Sequence, residues 1–373
     1  MPTKGYSAPQ RWLHWLALES AAVRHLAFDL ERQFAMHERR KPAELCSSLT
    51  SDAYDPAGGA VYVCGLARSG TTIILRILDQ LDIFRSLTYR DMPFVLAPNL
   101  WRRVTRYAPR ASEPSERAHG DGMMVDFESP EAFEEVFWRT FGKQTLTKAS
   151  LSEVEPSPAL LAAFADYRAL VANPKTGRFP PCFTPRRYLS KNNNNLLRLR
   201  SLCADPAATV LLAYRDPVAT ARSLHRQHLR FCAEQAQNRF TRSYMGWLGH
   251  YEFGLDHRPF GFATAAMDKC LVPDDVNYWL DYWSALYSHV LTQPELRLHL
   301  VNHATLCASP VSMLEALFGK LSIQADASTL AKLVADPAAQ TVQLSEFCPV
   351  RVHRAEAIYR ELLSSPKNVL NQA

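Results

Sequence analysis

A glycine-rich loop between a predicted strand and a predicted helix has the spacing of an anion-binding loop. It runs from Gly65 to Gly70 and continues as Thr71 and Thr72. The apolar run at 60–64 predicts a buried strand, and the apolar residues after the loop recur at helical spacing. A strand, a glycine loop and a helix in this order direct backbone N–H groups and the positive end of the helix dipole toward an anion. The loop is therefore predicted to bind a phosphate or sulfate ester.

The loop lacks the lysine of the nucleotide P-loop. In the pattern G-x-x-x-x-G-K-[ST] that lysine reaches the β- and γ-phosphates, and the following hydroxyl holds Mg²⁺. Thr71 occupies the lysine position here, and Arg68 is the remaining cation at the loop. The sequence therefore does not predict ordinary Mg-nucleotide chemistry.

A second strand–helix junction carries an arginine and a hydroxyl that suit a phosphate monoester. Arg215 ends the apolar run 208–214, and Ser223 lies eight residues later, in a predicted helix that begins at Pro217. Sheets of α/β proteins bind their ligands at the carboxyl ends of strands, and a guanidinium fork recognises phosphate well. The alternative is that Arg215 forms an ion pair with Asp216 at the strand end.

Together the two motifs resemble the donor site of sulfotransferases that use 3′-phosphoadenosine 5′-phosphosulfate (PAPS). The donor loop of that family often reads R-S-G-T-T, and its 3′-phosphate motif is a strand-end arginine with a serine eight residues later. The resemblance spans roughly residues 58–230 and 296–363 and is closest to the bacterial and tyrosylprotein-type branches. In this chain the residues that match are Arg68, Ser69, Gly70, Thr71, Thr72, Arg215 and Ser223.

The resemblance implies in-line sulfuryl transfer from PAPS to a hydroxyl or amine, with no metal required. Cations are then needed around the sulfuryl group and the bridging oxygen. Arg68 suits a fixed electrostatic clamp, because arginine hardly deprotonates. Lys191 ends the predicted strand 187–191 and resembles the family's lysine near the sulfuryl group. The family often continues K-[DT]-P, whereas four asparagines follow Lys191 here.

The reaction also implies a general base that takes the proton of the acceptor. In tyrosylprotein-type relatives a glutamate about 21 residues after the loop arginine does this, and that count reaches Tyr89 here. Asp91 is the nearest carboxylate and the first candidate, and His119 is the second. Asp91 could instead be a helix cap or an ion-pair partner of Arg90, and His119 could be a solvated loop histidine.

Strands that alternate with helices predict an α/β fold, a mostly parallel P-loop-like sheet flanked by helices as in sulfotransferases. The predicted domains are an N-terminal helical extension at 1–45 and one α/β domain at 58–365. The extension contains one long amphipathic helix at 9–40. A further helix is predicted from Ser129 to about Phe141. The aromatic insertion at 230–272 is predicted to be irregular with helical pieces at most. It could form an acceptor pocket and adenine cover, or its aromatic residues could serve only for packing.

Composition limits the classes of partner. The chain has 373 residues and a net charge of +5, which fits an anionic ligand but not nucleic acid binding. The eight cysteines are scattered without metal-site spacing, which favours reduced thiols and a cytoplasmic location. No signal peptide or transmembrane segment is predicted. A homo-oligomer formed through the N-terminal helix is possible.

Two other functions remain open at this point. One is a P-loop kinase acting on a small molecule, against which the missing lysine argues. The other is a non-catalytic nucleotide-binding protein of the same fold, because the turn after Lys191 and the base depart from the family pattern. The acceptor is undetermined among small molecules, glycans, lipids, phenols and peptides.

Overall fold

A sheet of five parallel strands lies at the centre of the computed structural model. The structure describes residues 6–40, 59–105, 115–116, 124–125, 129–142, 147, 149–153, 155–172, 186–334 and 344–371. The order across the sheet is β2-β5-β1-β6-β7, and β3 pairs with β4 in a separate antiparallel ribbon. In chain order the strands are β1 (Ala60–Gly65), β2 (Phe84–Arg85), β3 (Ser115–Glu116), β4 (Met124–Val125), β5 (Arg187–Lys191), β6 (Ala208–Tyr214) and β7 (Leu298–Asn302).

Helices cover both faces of the sheet. No helix in the described ranges is long and apolar enough to span a bilayer. Short 3₁₀ helices occupy Tyr89–Asp91, Asn193–Arg198, Leu344–Glu346 and Val369–Asn371. In chain order the α-helices are α1 (Ala8–Glu19), α2 (Ala21–Arg40), α3 (Thr71–Asp79), α4 (Pro98–Thr105), α5 (Glu135–Phe141), α6 (Pro158–Ala172), α7 (Leu199–Ala204), α8 (Pro217–Gln237), α9 (Arg239–Trp247), α10 (Gly261–Thr264), α11 (Val276–Leu291), α12 (His303–Ala308), α13 (Pro310–Leu321), α14 (Ala327–Ala331) and α15 (Pro349–Ser364).

The predicted α/β fold is confirmed. Successive residues of β1 enter two different cores, because side chains alternate across a strand. Val61 and Val63 pack on one face with Ile74 of α3, whereas Tyr62 and Cys64 pack on the other face. A strand that is buried on both faces needs a continuous apolar sequence, which is why the strands were recognisable.

The N-terminal region forms two helices, so the prediction of one long helix at 9–40 is wrong. Ser20 has an extended backbone (φ −70°, ψ 111°) between α1 and α2. The Arg24 guanidinium donates to the backbone carbonyls of Leu18 and Glu19, which satisfies the last turn of α1. The apolar spacing continues through the break, so periodicity alone could not reveal it.

The insertion at 230–272 contains helical pieces between irregular stretches, as predicted. α8 continues to Gln237, α9 follows directly, and α10 spans Gly261–Thr264. Most of its aromatic rings belong to the main core, as the packing alternative predicts. The buried rings are Phe231, Tyr244, Trp247, Phe253 and Phe260.

The helix predicted to begin at Ser129 begins instead at Glu135. Pro130 forms an isolated antiparallel bridge with Thr88, and the Ser129 carbonyl accepts from the backbone N–H of Tyr89. These pairings hold the stretch before α5 in an extended conformation despite its helix-start composition.

The register of the sheet brings four strand ends to one edge. Val63 of β1 lies opposite Lys191 of β5, and Tyr214 of β6 lies opposite Asn302 of β7. The glycine loop, Lys191, Arg215 and the start of α12 therefore share the carboxyl edge of the sheet, where α/β proteins bind ligands.

Candidate active site

The glycine loop has the backbone geometry that its sequence predicts. Gly70 is left-handed (φ 97°) and lies at the N-cap position of α3. A Cβ atom at Gly70 would lie 2.4 Å from Cδ2 of His303, so only glycine fits. Arg68 also has a positive φ of 70°, which is uncommon for a residue with a side chain and occurs most often at functional sites.

Three hydroxyl residues complete the loop. Ser69 is buried, and its Oγ donates to the Leu66 carbonyl at 2.6 Å, which holds the turn closed. Thr71 and Thr72 form the first turn of α3, where backbone N–H groups have no partner within the helix. The end of the loop can therefore bind an anion through main-chain donors.

The loop and the second motif are in direct contact. Arg68 Nε donates to Ser223 Oγ at 3.0 Å, although the two residues are 155 positions apart. Asp216 caps α8, because its carboxylate accepts from the Ala219 N–H at 2.8 Å. The chain therefore brings the two predicted phosphate-binding motifs together in one site.

His303 belongs to the same site, although the sequence analysis did not name it. It is the first residue of α12, and its ring packs against Gly70. Burial lowers the pKa of His303, and the charges of Arg215 and Arg68 lower it further, to about 4. The imidazole is therefore neutral near pH 7. The strand-end rule that identified Arg215 would also have pointed to the residue after β7.

The asparagine run after Lys191 is buried and bound to α5. Asn192 Nδ2 donates to Glu135 Oε2 at 2.7 Å. Arg198 donates to both oxygens of the same carboxylate at 2.9 Å, in an ion pair whose side chains are 6% and 1% exposed. The turn that departs from the family pattern is thus held by a buried network behind Lys191.

A carboxylate from the insertion binds the asparagine run after Lys191. Glu252 Oε1 accepts from Asn193 Nδ2 at 3.1 Å and contacts His250 Nδ1 at 3.3 Å. Burial raises the pKa of Glu252, but His250, a backbone hydrogen bond and the charge of Lys191 lower it to about 2. Nothing in the local sequence of residues 249–252 indicates this contact, which depends on how the insertion folds back.

With this geometry described, comparison with known families identifies the class of protein. A model described as sulfotransferase family matches residues 60–259. The chain belongs to the sulfotransferase family. The matched range contains the glycine loop, Lys191, Arg215 and Ser223, and it extends through Glu252 into the insertion.

Two solved sulfotransferases are among the structures to which this chain is similar. Sulfotransferase STF9 from Mycobacterium avium is 15% identical with a TM-score of 0.47, over 95% of this chain and 84% of that one. Sulfotransferase STF1 from Mycobacterium tuberculosis H37Rv is 12% identical with a TM-score of 0.46, over 92% and 84% of the two chains. The search of curated proteins found no match.

Asp91, the first predicted base, is held by a buried network of its own. Asp91 is 1% exposed and accepts from Arg102 Nε at 2.6 Å and from the Thr88 N–H at 2.9 Å. It therefore caps a short 3₁₀ helix, as the structural alternative predicts, and its ion-pair partner is Arg102. His119 lies outside the described residues. Among the described residues, no group of His, Cys, Asp and Glu side chains could hold a metal ion.

Proposed function

We propose that this sulfotransferase moves the sulfuryl group of PAPS to a hydroxyl or amine. The observation that carries the proposal is the Arg68–Ser223 hydrogen bond of 3.0 Å. It joins the loop that suits a 5′-phosphosulfate to the motif that suits a 3′-phosphate. One ligand with an anionic group at each end can therefore contact both motifs.

Each residue has a distinct role in this proposal. Thr71 and Thr72 donate to the 5′-phosphate from the start of α3. Arg215 and Ser223 bind the 3′-phosphate. Ser69 and Gly70 shape the glycine loop that receives the 5′-phosphosulfate. Arg68 and Lys191 stabilise the negative charge that develops on the sulfuryl and bridging oxygens. These groups require no metal ion to perform the transfer.

The transfer is in-line in this proposal. The acceptor oxygen or nitrogen forms a bond to sulfur from the side opposite the bridging oxygen. The bond from sulfur to that oxygen breaks, and the electron pair stays on the 5′-phosphate. The products are the sulfated acceptor and 3′-phosphoadenosine 5′-phosphate (PAP). The small-molecule kinase is the weaker alternative, because Thr71 cannot supply the charge of the P-loop lysine.

Binding of PAP tests the donor site. PAP should raise the melting temperature of the protein, since a ligand that binds only the folded state stabilises it. Arg215→Ala should weaken PAP binding by about 2–3 kcal/mol, or roughly thirty-fold or more, because a charge-assisted contact is lost. Isothermal calorimetry measures both affinities.

Arg230→Ala is the matched control, because Arg230 is an exposed arginine on the same helix, α8. It should leave PAP affinity unchanged. A thermal shift with Mg-ATP and none with PAP would overturn the proposal in favour of the kinase. PAP binding without sulfate transfer to any acceptor would support the non-catalytic alternative.

A further inference from the structure

Three buried side-chain atoms near Lys191 accept no hydrogen bond from any described residue. They are Oδ1 of Asn193, Oδ1 of Asn194 and Nε2 of His250. The two asparagines are 5% and 3% exposed. Asn195 also leaves its Nδ2 unpaired, but its Oδ1 accepts from Arg198, so it belongs to the network around Glu135.

The hydrogen bonds of their neighbours show that all three atoms are acceptors. Asn193 donates its amide to Glu252, and Asn194 donates to the Gly249 carbonyl at 2.8 Å, so each amide oxygen faces away from these partners. An ionised carboxylate can only accept, so His250 Nδ1 carries the proton that it shares with Glu252. In a neutral imidazole, Nε2 then holds a lone pair.

Unpaired buried acceptors require donors from elsewhere. Leaving one unsatisfied costs about 1–3 kcal/mol, so three beside one lysine would be a large cost without a partner. The side chains of His250 and Glu252 are 15% and 16% exposed, so the cluster lies just beneath the surface. A sugar or polyol carries several hydroxyl donors, whereas a phenol or a sterol carries one.

We propose that Asn193, Asn194 and His250 form the acceptor subsite, which takes a polyhydroxylated, sugar-like acceptor, and that His250 Nε2 is the general base. This inference rests on the proposed function. Glu252 connects the subsite to the end of β5, because it binds both His250 and Asn193, which follows Lys191 by two residues.

The proton and electron movements balance. The O–H bond of the acceptor breaks, and its proton moves to His250 Nε2. The oxygen forms a bond to sulfur, and the bond from sulfur to the 5′-phosphate oxygen breaks with its electron pair. The Glu252 carboxylate on Nδ1 orients the ring and stabilises the imidazolium, as the third member of a nucleophile–base arrangement does.

The charged and titratable groups around His250 come from three places. Its own turn supplies Glu252, and the end of β5 supplies Lys191. A Cβ on Gly249 would lie 2.5 Å from Cγ of Glu135, so the Glu135–Arg198 pair packs on the same turn. His257 of the insertion stays neutral, because burial and then the charge of His228 lower its pKa to about 3.

His250→Gln tests the base with labelled PAPS. Methyl glucoside and cellobiose serve as sugar acceptors, and 4-nitrophenol and 2-naphthol serve as phenols. The wild type should sulfate the sugars at least ten-fold more efficiently than the phenols. His250→Gln should lower kcat by about 10²–10⁴-fold, the range of general-base catalysis, with PAP affinity unchanged. The pH profile of the variant should differ from that of the wild type, because the variant lacks the base.

His289→Gln is the matched control. His289 also pairs with a glutamate, Glu153, at 3.2 Å, but it lies on α11 outside the proposed subsite. Its kcat and pH profile should match the wild type. Asn193→Ala provides a second test if His250→Gln does not fold. It should raise the KM for the sugars about ten-fold and change kcat little, because it removes one acceptor and leaves the base.

The outcomes separate the two proposals. If the wild type does not bind PAP, the proposed function fails. If PAP binds but the sugars are not sulfated in preference to the phenols, this inference alone is wrong. Unchanged kcat and pH profile in His250→Gln, or unchanged sugar KM in Asn193→Ala, would overturn it in favour of a structural network completed by water.

Discussion

At the scale of single residues, His303 shows how a site acquires a functional group without a motif. Its ring fills the space that Gly70 leaves open and lies within electrostatic range of Arg68 and Arg215. Burial and the two positive charges keep it neutral, so its ring adds no further positive charge beside the two arginines. Binding of an anionic ligand nearby should therefore raise the pKa of His303 and favour its protonation.

PAP binding should be linked to proton uptake by His303. Its pKa is lowered to about 4 by burial, Arg215 and Arg68, and bound phosphates would offset the two charges and raise it. A group whose pKa rises on binding takes up a proton, so affinity gains as the pH falls from about 7 to 5. PAP itself titrates in this range, with the second pKa of phosphate near about 6, and this affects wild type and variant alike.

His303→Gln removes that contribution. The ratio of wild-type to variant affinity should be larger at pH 5 than at pH 7. Calorimetry in buffers of different ionisation enthalpy measures the proton uptake directly. Equal proton uptake by wild type and variant would show that His303 does not respond to the ligand.

The buried ion pair of Asp91 with Arg102 gives a second prediction at the scale of single residues. Arg102, which is 16% exposed, binds both oxygens of the buried carboxylate. Asp91→Asn would leave that guanidinium without its partner, at a cost of about 3 kcal/mol. We expect a lower melting temperature and a kcat per folded molecule within about two-fold of the wild type.

Asp82→Asn is the control, because Asp82 forms an exposed ion pair with Arg186 at 3.6 Å. It should change neither property measurably. A stable Asp91→Asn protein that binds PAP but has no turnover would instead make Asp91 the base, as the resemblance predicts.

At the scale of elements, a buried carboxylate of α2 helps to attach the N-terminal helices to the rest of the chain. Glu31 of α2 is fully buried and accepts from the N–H groups of Asn99 and Leu100 at 3.2 and 3.0 Å. The Asn99 side chain donates to it as well, at 2.6 Å. These residues lie in the first turn of α4, so the side chain of one helix satisfies the free donors of another.

Glu31→Ala should lower the free energy of unfolding by about 2–3 kcal/mol, because buried backbone donors lose their acceptor. Urea denaturation measures the change. Glu19→Ala is the control on α1, since Glu19 is 48% exposed and lies 3.5 Å from Arg139. It should cost well under about 1 kcal/mol. Equal losses for both variants would contradict a buried attachment through Glu31.

The elements also show where local patterns succeed. β6 ends at Tyr214, where its apolar run ends, because strands of a parallel sheet covered on both faces are near-continuous apolar runs. The break at Ser20 and the extended stretch at Ser129 were missed. In both places a contact with a distant residue competes with the helix that the local sequence favours. Arg24 binds Thr140 near the first, and Pro130 pairs with Thr88 at the second.

At the scale of the whole molecule, the sheet order decides which residues meet. β1 lies between β5 and β6, so the loop after β1 has Lys191 on one side and Arg215 on the other. β7 beside β6 then places His303 over the loop. The insertion folds back on the same edge and adds Glu252 and His250. The division into a helical extension at 1–45 and one α/β domain at 58–365 stays a prediction.

The amino-acid sequence by itself determined the α/β class, the anion loop at 65–72 and the motif of Arg215 and Ser223. Strand burial, glycine conformation and the helix dipole produce these features, and each of them depends on residues that are close in the chain. Only the tertiary structure decided the contact of Arg68 with Ser223, the position of His303 on Gly70 and the approach of the insertion to Lys191. Those contacts join residues far apart in the chain, so they follow from sheet order and helix docking, which no local pattern specifies.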